Sequence, residues 1–114
     1  MENSKKVAEQ ILIQLGGRKF VAMTGAKEFL YADKDENNPN PWLRMSLRAN
    51  KARVNRLVIY YNIGSDTYTM HFYKQRMDKK TFDVKITNEQ KFEGVYNDSL
   101  QDVFTKVTGF LTRF

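Results

Sequence analysis

The sequence predicts an α+β fold: an antiparallel β-meander of about four to six strands, flanked by an N-terminal and a C-terminal helix. Three observations carry this. Apolar residues near both ends recur at helical spacing. Those in the middle alternate with polar ones, the period of a strand. The connections between the central strands are short, which makes sequential hairpins the simplest topology. No repeat or linker divides the chain, so residues 1–114 read as one domain.

The first element is a helix from Ser4 to Leu15, with Val7, Ala8, Ile11, Leu12 and Leu15 on one stripe. Asn3 or Ser4 caps its start, and Gly16-Gly17 supplies a left-handed stop. Lys19 to Thr24 reads as a short strand, Gly25-Ala26-Lys27 as a turn, and Glu28 to Tyr31 as a second extended piece. A polar loop from Ala32 to Pro41 follows, closed to helix by its two prolines. Trp42 opens a strand in which Leu43, Met45 and Leu47 alternate with Arg44, Ser46 and Arg48. After a basic connection from Ala49 to Asn55, residues Arg56–Asn62 and Thr67–Lys74 form strands around a turn at Ile63-Gly64-Ser65-Asp66.

Gln75 to Lys80 reads as a second basic turn, Thr81 to Thr87 as the next strand, and Lys91 to Val95 as a short edge piece. The final helix runs from about Asp98 to Leu111, capped by Asn97, with Leu100, Val103, Phe104, Val107, Leu111 and Phe114 as its stripe. Gly109 weakens its last turn by about 1 kcal/mol relative to alanine. One sheet face then collects Leu43, Met45, Leu47, Leu57, Ile59, Tyr61, Tyr68, Met70, Phe72, Phe82, Val84 and Ile86, the expected core. The other collects Arg44, Arg48, Val58, Tyr60, Thr69, His71, Tyr73 and Lys85.

Composition narrows the chemistry. The chain is 41% hydrophobic and 28% charged with 15 aromatic residues, the balance of a folding domain. No apolar run approaches the ~20 residues of a membrane helix. Nothing at the N-terminus resembles a signal peptide, so a cytoplasmic protein is expected. Without cysteine there is no disulfide, thiol nucleophile or cysteine metal site. His71 is the only histidine and lacks the ligand spacing of a metal site. Asp33, Asp35 and Glu36 lack the glycine and final glutamate of a calcium loop. Gly16-Gly17-Arg18-Lys19 follows a helix, where a phosphate loop would precede one, and no nucleophile elbow surrounds any serine. The expectation is a non-enzymatic protein with no metal and no cofactor.

Charge placement is more informative. Residues 37–86 carry ten basic and three acidic side chains, a sum of +7. Residues 1–36 sum to zero and residues 87–114 to −1. Arg44, Arg48, Lys51, Arg53 and Arg56 fall in a stretch with no acid between Glu36 and Asp66. Arginine's planar fork suits phosphate and carboxylate partners. These five, with Lys74, Arg76, Lys79 and Lys80 at the second basic turn, form the candidate binding set for nucleic acid or an acidic partner. Tyr60, His71 and Tyr73 join them as stacking candidates, because aromatic rings interleaved with cations on an open sheet bind single strands. Two other readings stand beside this one. The basic hairpin is a solvated surface, or the half-apolar face is buried between two copies.

Two longer stretches carry a resemblance. They are Gln14-Leu15-Gly16-Gly17-Arg18-Lys19-Phe20-Val21-Ala22-Met23-Thr24-Gly25-Ala26-Lys27-Glu28-Phe29, and Phe92-Glu93-Gly94-Val95-Tyr96-Asn97-Asp98-Ser99-Leu100-Gln101-Asp102-Val103-Phe104-Thr105-Lys106-Val107-Thr108-Gly109-Phe110. With Leu43-Arg44-Met45-Ser46-Leu47 and Asn50-Lys51-Ala52, they resemble a family of small proteins of no assigned activity carried by bacteriophages and other mobile elements. The chain departs from it in a longer insertion at Asn37–Pro41. The resemblance implies a setting, the cytoplasm of a bacterial host, and transfers no functional residue. Three functions are then expected as alternatives: a nucleic-acid-binding accessory acting through the basic hairpin, an inhibitor of a host protein such as a defence nuclease, or a small oligomeric assembly protein. The partners are correspondingly nucleic acid, a host protein or a second copy, with no membrane.

Overall fold

The computed structural model describes residues 4–32 and 40–112. The Asn3 cap, most of the polar loop with Asp33, Asp35 and Glu36, and Phe114 lie outside the described residues. The elements are α1 (Ser4–Leu15), α2 (Arg18–Thr24), β1 (Lys27–Ala32), β2 (Trp42–Ser46), β3 (Arg56–Asn62), β4 (Thr67–Met77), β5 (Val84–Val95), a 3-10 turn (Asn97–Ser99) and α3 (Leu100–Thr108). The strands form one antiparallel sheet in the order β1-β2-β3-β4-β5, the sequential meander that short connections favour.

The apolar stripe of α1 is buried as its spacing dictates, through Val7, Ala8, Ile11 and Leu15. It meets Leu100, Phe104 and Val107 of α3 and one face of the sheet: Leu43, Met45, Leu57, Ile59, Tyr68, Met70 and Phe72. The helices therefore share one face; the other carries no helix among the described residues, though Val58, Thr69 and Tyr73 on it are buried. The turn between β3 and β4 is as expected, with Asp66 donating its N–H to Asn62 O at 2.9 Å and accepting from the Tyr61 hydroxyl at 2.7 Å. No helix among the described residues is long and apolar enough to cross a membrane.

Several elements differ from expectation. Lys19 to Thr24 is helical, not a strand. Its β-prone residues are overruled by tertiary contacts: Phe20 and Thr24, one helical turn apart, are both buried. Phe20 packs edge-on against Phe104 with ring centroids 4.9 Å apart, and the Thr24 hydroxyl donates to Phe20 O at 2.7 Å. Gly25, at φ +70°, ends this helix where a hairpin turn was expected.

The last helix stops at Thr108, because Gly109 is its left-handed cap (φ +81°) and donates to Thr105 O. Gly109 is thus a stop signal instead of a weak interior position. Leu111, placed on the helix stripe by its spacing, is exposed. The start also differs: Asn97 opens a 3-10 turn, and no side chain caps α3.

The largest difference is in β4 and β5. Gln75 to Met77 continue β4, the turn is shortened to residues 78–83, and the two expected strands 81–87 and 91–95 are one strand of twelve residues. Phe82, Val84 and Ile86 are 72%, 56% and 48% exposed, not core. The cause is a bulge. β5 pairs Gln90 with Phe72 but Thr87 with Lys74, so one extra residue is inserted near Asn88, which lies at φ +56°. A slip of one residue exchanges the faces of a strand. It turns Val84 and Ile86 to the open side and sends Lys85 to the helix side, the reverse of expectation.

Candidate functional site

The pairing of β3 with β4 ends at Arg56 opposite Tyr73. Beyond it, β4 and β5 run on as a two-stranded arm, with Lys74 opposite Thr87, Gln75 opposite Ile86, Arg76 opposite Lys85 and Met77 opposite Val84. Four paired positions give a ribbon about 13 Å long before the tip. Every residue from Thr81 to Lys91 is exposed. Two asparagines clamp its root. Asn55 donates its amide to Gln75 O at 3.0 Å and accepts from Gln75 N–H at 2.8 Å, continuing the ladder with a side chain. The Asn88 amide donates toward Ala52 O and Arg53 O at 3.4 and 3.3 Å.

Strand alternation gives the arm two unlike sides. Lys74, Arg76 and Lys85 share one, and with Arg53 they line a groove of about 370 Å³ that also includes Met77, Asp78, Thr87 and Asn88. Met77, Val84 and Ile86 share the other with Gln75. Lys79 and Lys80 stand exposed at the tip beside Phe82.

The candidate basic set is therefore divided. Arg53, Lys74 and Arg76 come together in the groove, joined by Lys85, which sequence reasoning left out of the site. Arg48 and Lys51 pack instead against the end of α3 and the residues around it. The Arg48 guanidinium lies 4.6 Å from the Phe110 ring centroid and donates to Met23 O at 3.4 Å. Lys51 packs its side chain over Gly109 and donates its N–H to Thr108 O. Arg56 donates to Asn55 O at 2.9 Å, and Arg44 sits half-buried on the open face between Leu30 and Val58.

The open face offers little for stacking. Tyr73 is buried, so it cannot receive a base, and its ring lies 4.9 Å from that of His71. His71 Nε2 is 3.1 Å from Glu89 Oε2, and Lys91 Nζ is 3.6 Å from Glu93 Oε1. Tyr60 and His71 line a cleft of about 240 Å³ with Asn62, Thr69, Lys91 and Glu93. Here His71 and Lys91 have carboxylates beside them, whereas the arm groove holds four cations and a single acid.

A further cavity, of about 440 Å³, lies between α1 and the β3–β4 turn, lined by Gln10, Gln14, Tyr61, Asp66, Tyr68 and Tyr96 among others. Asp66 is its one carboxylate, and it already accepts from Tyr61. Among the described residues, no three His, Asp or Glu side chains cluster in a way that holds a metal. Comparison with family models, curated proteins and solved structures finds no match to this chain.

Proposed function

We propose that the protein is a non-enzymatic nucleic-acid-binding accessory of a phage or mobile element, and that it grips the sugar–phosphate backbone with the basic side of the projecting arm. One observation carries this: Arg53, Lys74, Arg76 and Lys85, drawn from three separate segments, converge on one groove with a single carboxylate among them. Convergent, weakly neutralised cations on a protruding element create a local positive field that attracts a polyanion. The test is fluorescence anisotropy with labelled single- and double-stranded DNA and RNA at two salt concentrations. Binding that falls with salt and is weakened in the Arg76→Ala, Lys85→Ala double variant supports the reading. Unchanged binding in that variant moves the site elsewhere.

A second reading, an inhibitor of a host protein, is favoured by the other side of the arm. Met77, Phe82, Val84 and Ile86 are all exposed there or at the tip, and exposed apolar residues in a group mark protein contacts. This reading predicts a stoichiometric complex that depends on those four residues and little on salt. Self-association through the same side predicts instead a doubled mass in solution.

A further inference from the structure

The conformation of Phe82 is the observation that the groove leaves unexplained. It lies at φ +62°, in the left-handed region where glycine and asparagine are at home and a bulky residue is strained. Its ring, 72% exposed, gains nothing from the core in return. The turn that holds it is well bonded. Phe82 donates its N–H to Asp78 O at 2.7 Å, and Asp78 donates its own to Asp83 O at 2.9 Å. The Asp78 carboxylate accepts from the N–H groups of Lys80 and Thr81 at 2.8 and 3.3 Å. An aromatic ring is thereby presented at the end of a clamped ribbon, between Lys79–Lys80 and the arm's two sides.

We infer that the arm enters the minor groove of duplex DNA and drives the Phe82 ring against a base step as a wedge, bending the duplex. The inference rests on the nucleic-acid reading above and names the form of its ligand. Three features favour a duplex over a single strand. A single-strand binder stacks successive bases on several rings, and the arm carries one. The side bearing Met77, Val84 and Ile86 suits sugar walls, which line the minor groove. Long cations on the other side, at Lys74, Arg76 and Lys85, reach the phosphates that border it. The major groove fits less well, because base edges there are read by hydrogen bonds and Gln75 is the one such side chain on the apolar side. Apolar wedges at the ends of basic elements are a recurrent way to kink DNA through the minor groove.

The experiment is energy transfer between dyes on the two ends of an A·T-rich duplex of about 25 base pairs, a length at which protein-induced bends are readily formed. Anisotropy is recorded on the same samples, and on the matching single strand. The expected result is duplex binding with a rise in transfer for the unmodified protein. Phe82→Ala binds about tenfold more weakly, the order of one lost stacked ring, and leaves transfer at the free-DNA value. Phe82→Gly has the same DNA defect and melts at a higher temperature than the parent, which separates loss of the wedge from loss of the fold. If the parent and Phe82→Ala bend the duplex equally while the Arg76→Ala, Lys85→Ala variant binds more weakly, the wedge is overturned and the nucleic-acid reading survives. Tighter binding to the single strand also overturns the wedge alone. Absence of binding to every probe at low salt overturns both, and a dimer abolished by Phe82→Ala assigns the ring to self-association instead.

Discussion

Phe82 concentrates the tension between stability and use in one residue. At φ +62° its Cβ crowds the following backbone, a strain of about 1 kcal/mol that glycine would not carry. Because the ring is exposed, removing it sacrifices no core contact. Phe82→Gly is therefore expected to stabilise the protein by about 1 kcal/mol, a rise of a few degrees in Tm by calorimetry. A lower Tm would mean that the ring packs. Gly109 is the opposite case. Its φ of +81° is needed to close α3, and a Cβ there would meet the Lys51 Cδ at 3.3 Å. Gly109→Ala should cost about 1 kcal/mol in a denaturant titration; no change in midpoint would show that the cap relaxes. Phe20, fully buried against Phe104, is the third test: Phe20→Ala should cost about 3–5 kcal/mol, a loss that a strand residue at an exposed edge would not show.

Among the elements, those that obey one clean period were readable from sequence. The α1 stripe and the alternating apolar residues of β2, β3 and the first half of β4 meet in one core, so their burial follows spacing, although Val58, Thr69 and Tyr73 on the other face are buried as well. Lys19 to Thr24 reads as a strand because Phe, Val and Thr favour strands on their own. Helix forms there because Phe20 reaches Phe104 from a distant part of the chain, a contact that local pattern does not report. β5 departs from its local pattern for a related reason. Val84 and Ile86 alternate like core residues, but the bulge at Asn88 exchanges their face, and the ribbon has by then left the layer the helices cover. Since residues 81–91 are all exposed, the arm should contribute little to stability. Replacing Arg76–Lys85 with Asn-Gly, which favours the tight turn of a two-residue hairpin, should leave the circular dichroism spectrum intact and Tm within a few degrees. Collapse of the fold on this replacement would show the arm to be structural.

At the scale of the molecule, the excess charge of residues 37–86 was visible in the sequence, but its distribution in space was not. Folding assigns Arg48 and Lys51 to packing near the end of α3, sets Glu89 beside His71, and gathers Arg53, Lys74, Arg76 and Lys85 on the arm. Lys85 entered this group only through the bulge, and Tyr73 left the stacking set because the sheet buries it. The central claim is that the basic side of this arm binds the phosphate backbone. The most direct measurement is the affinity for duplex DNA as a function of salt, for the parent and for the Arg76→Ala, Lys85→Ala variant. Four phosphate contacts predict a fall of about a hundredfold in the parent between about 50 and 200 mM salt. The double variant should show weaker binding and a slope reduced by about half. Equal affinity and equal slope in the two proteins would contradict the claim, as would a parent that binds no duplex at low salt.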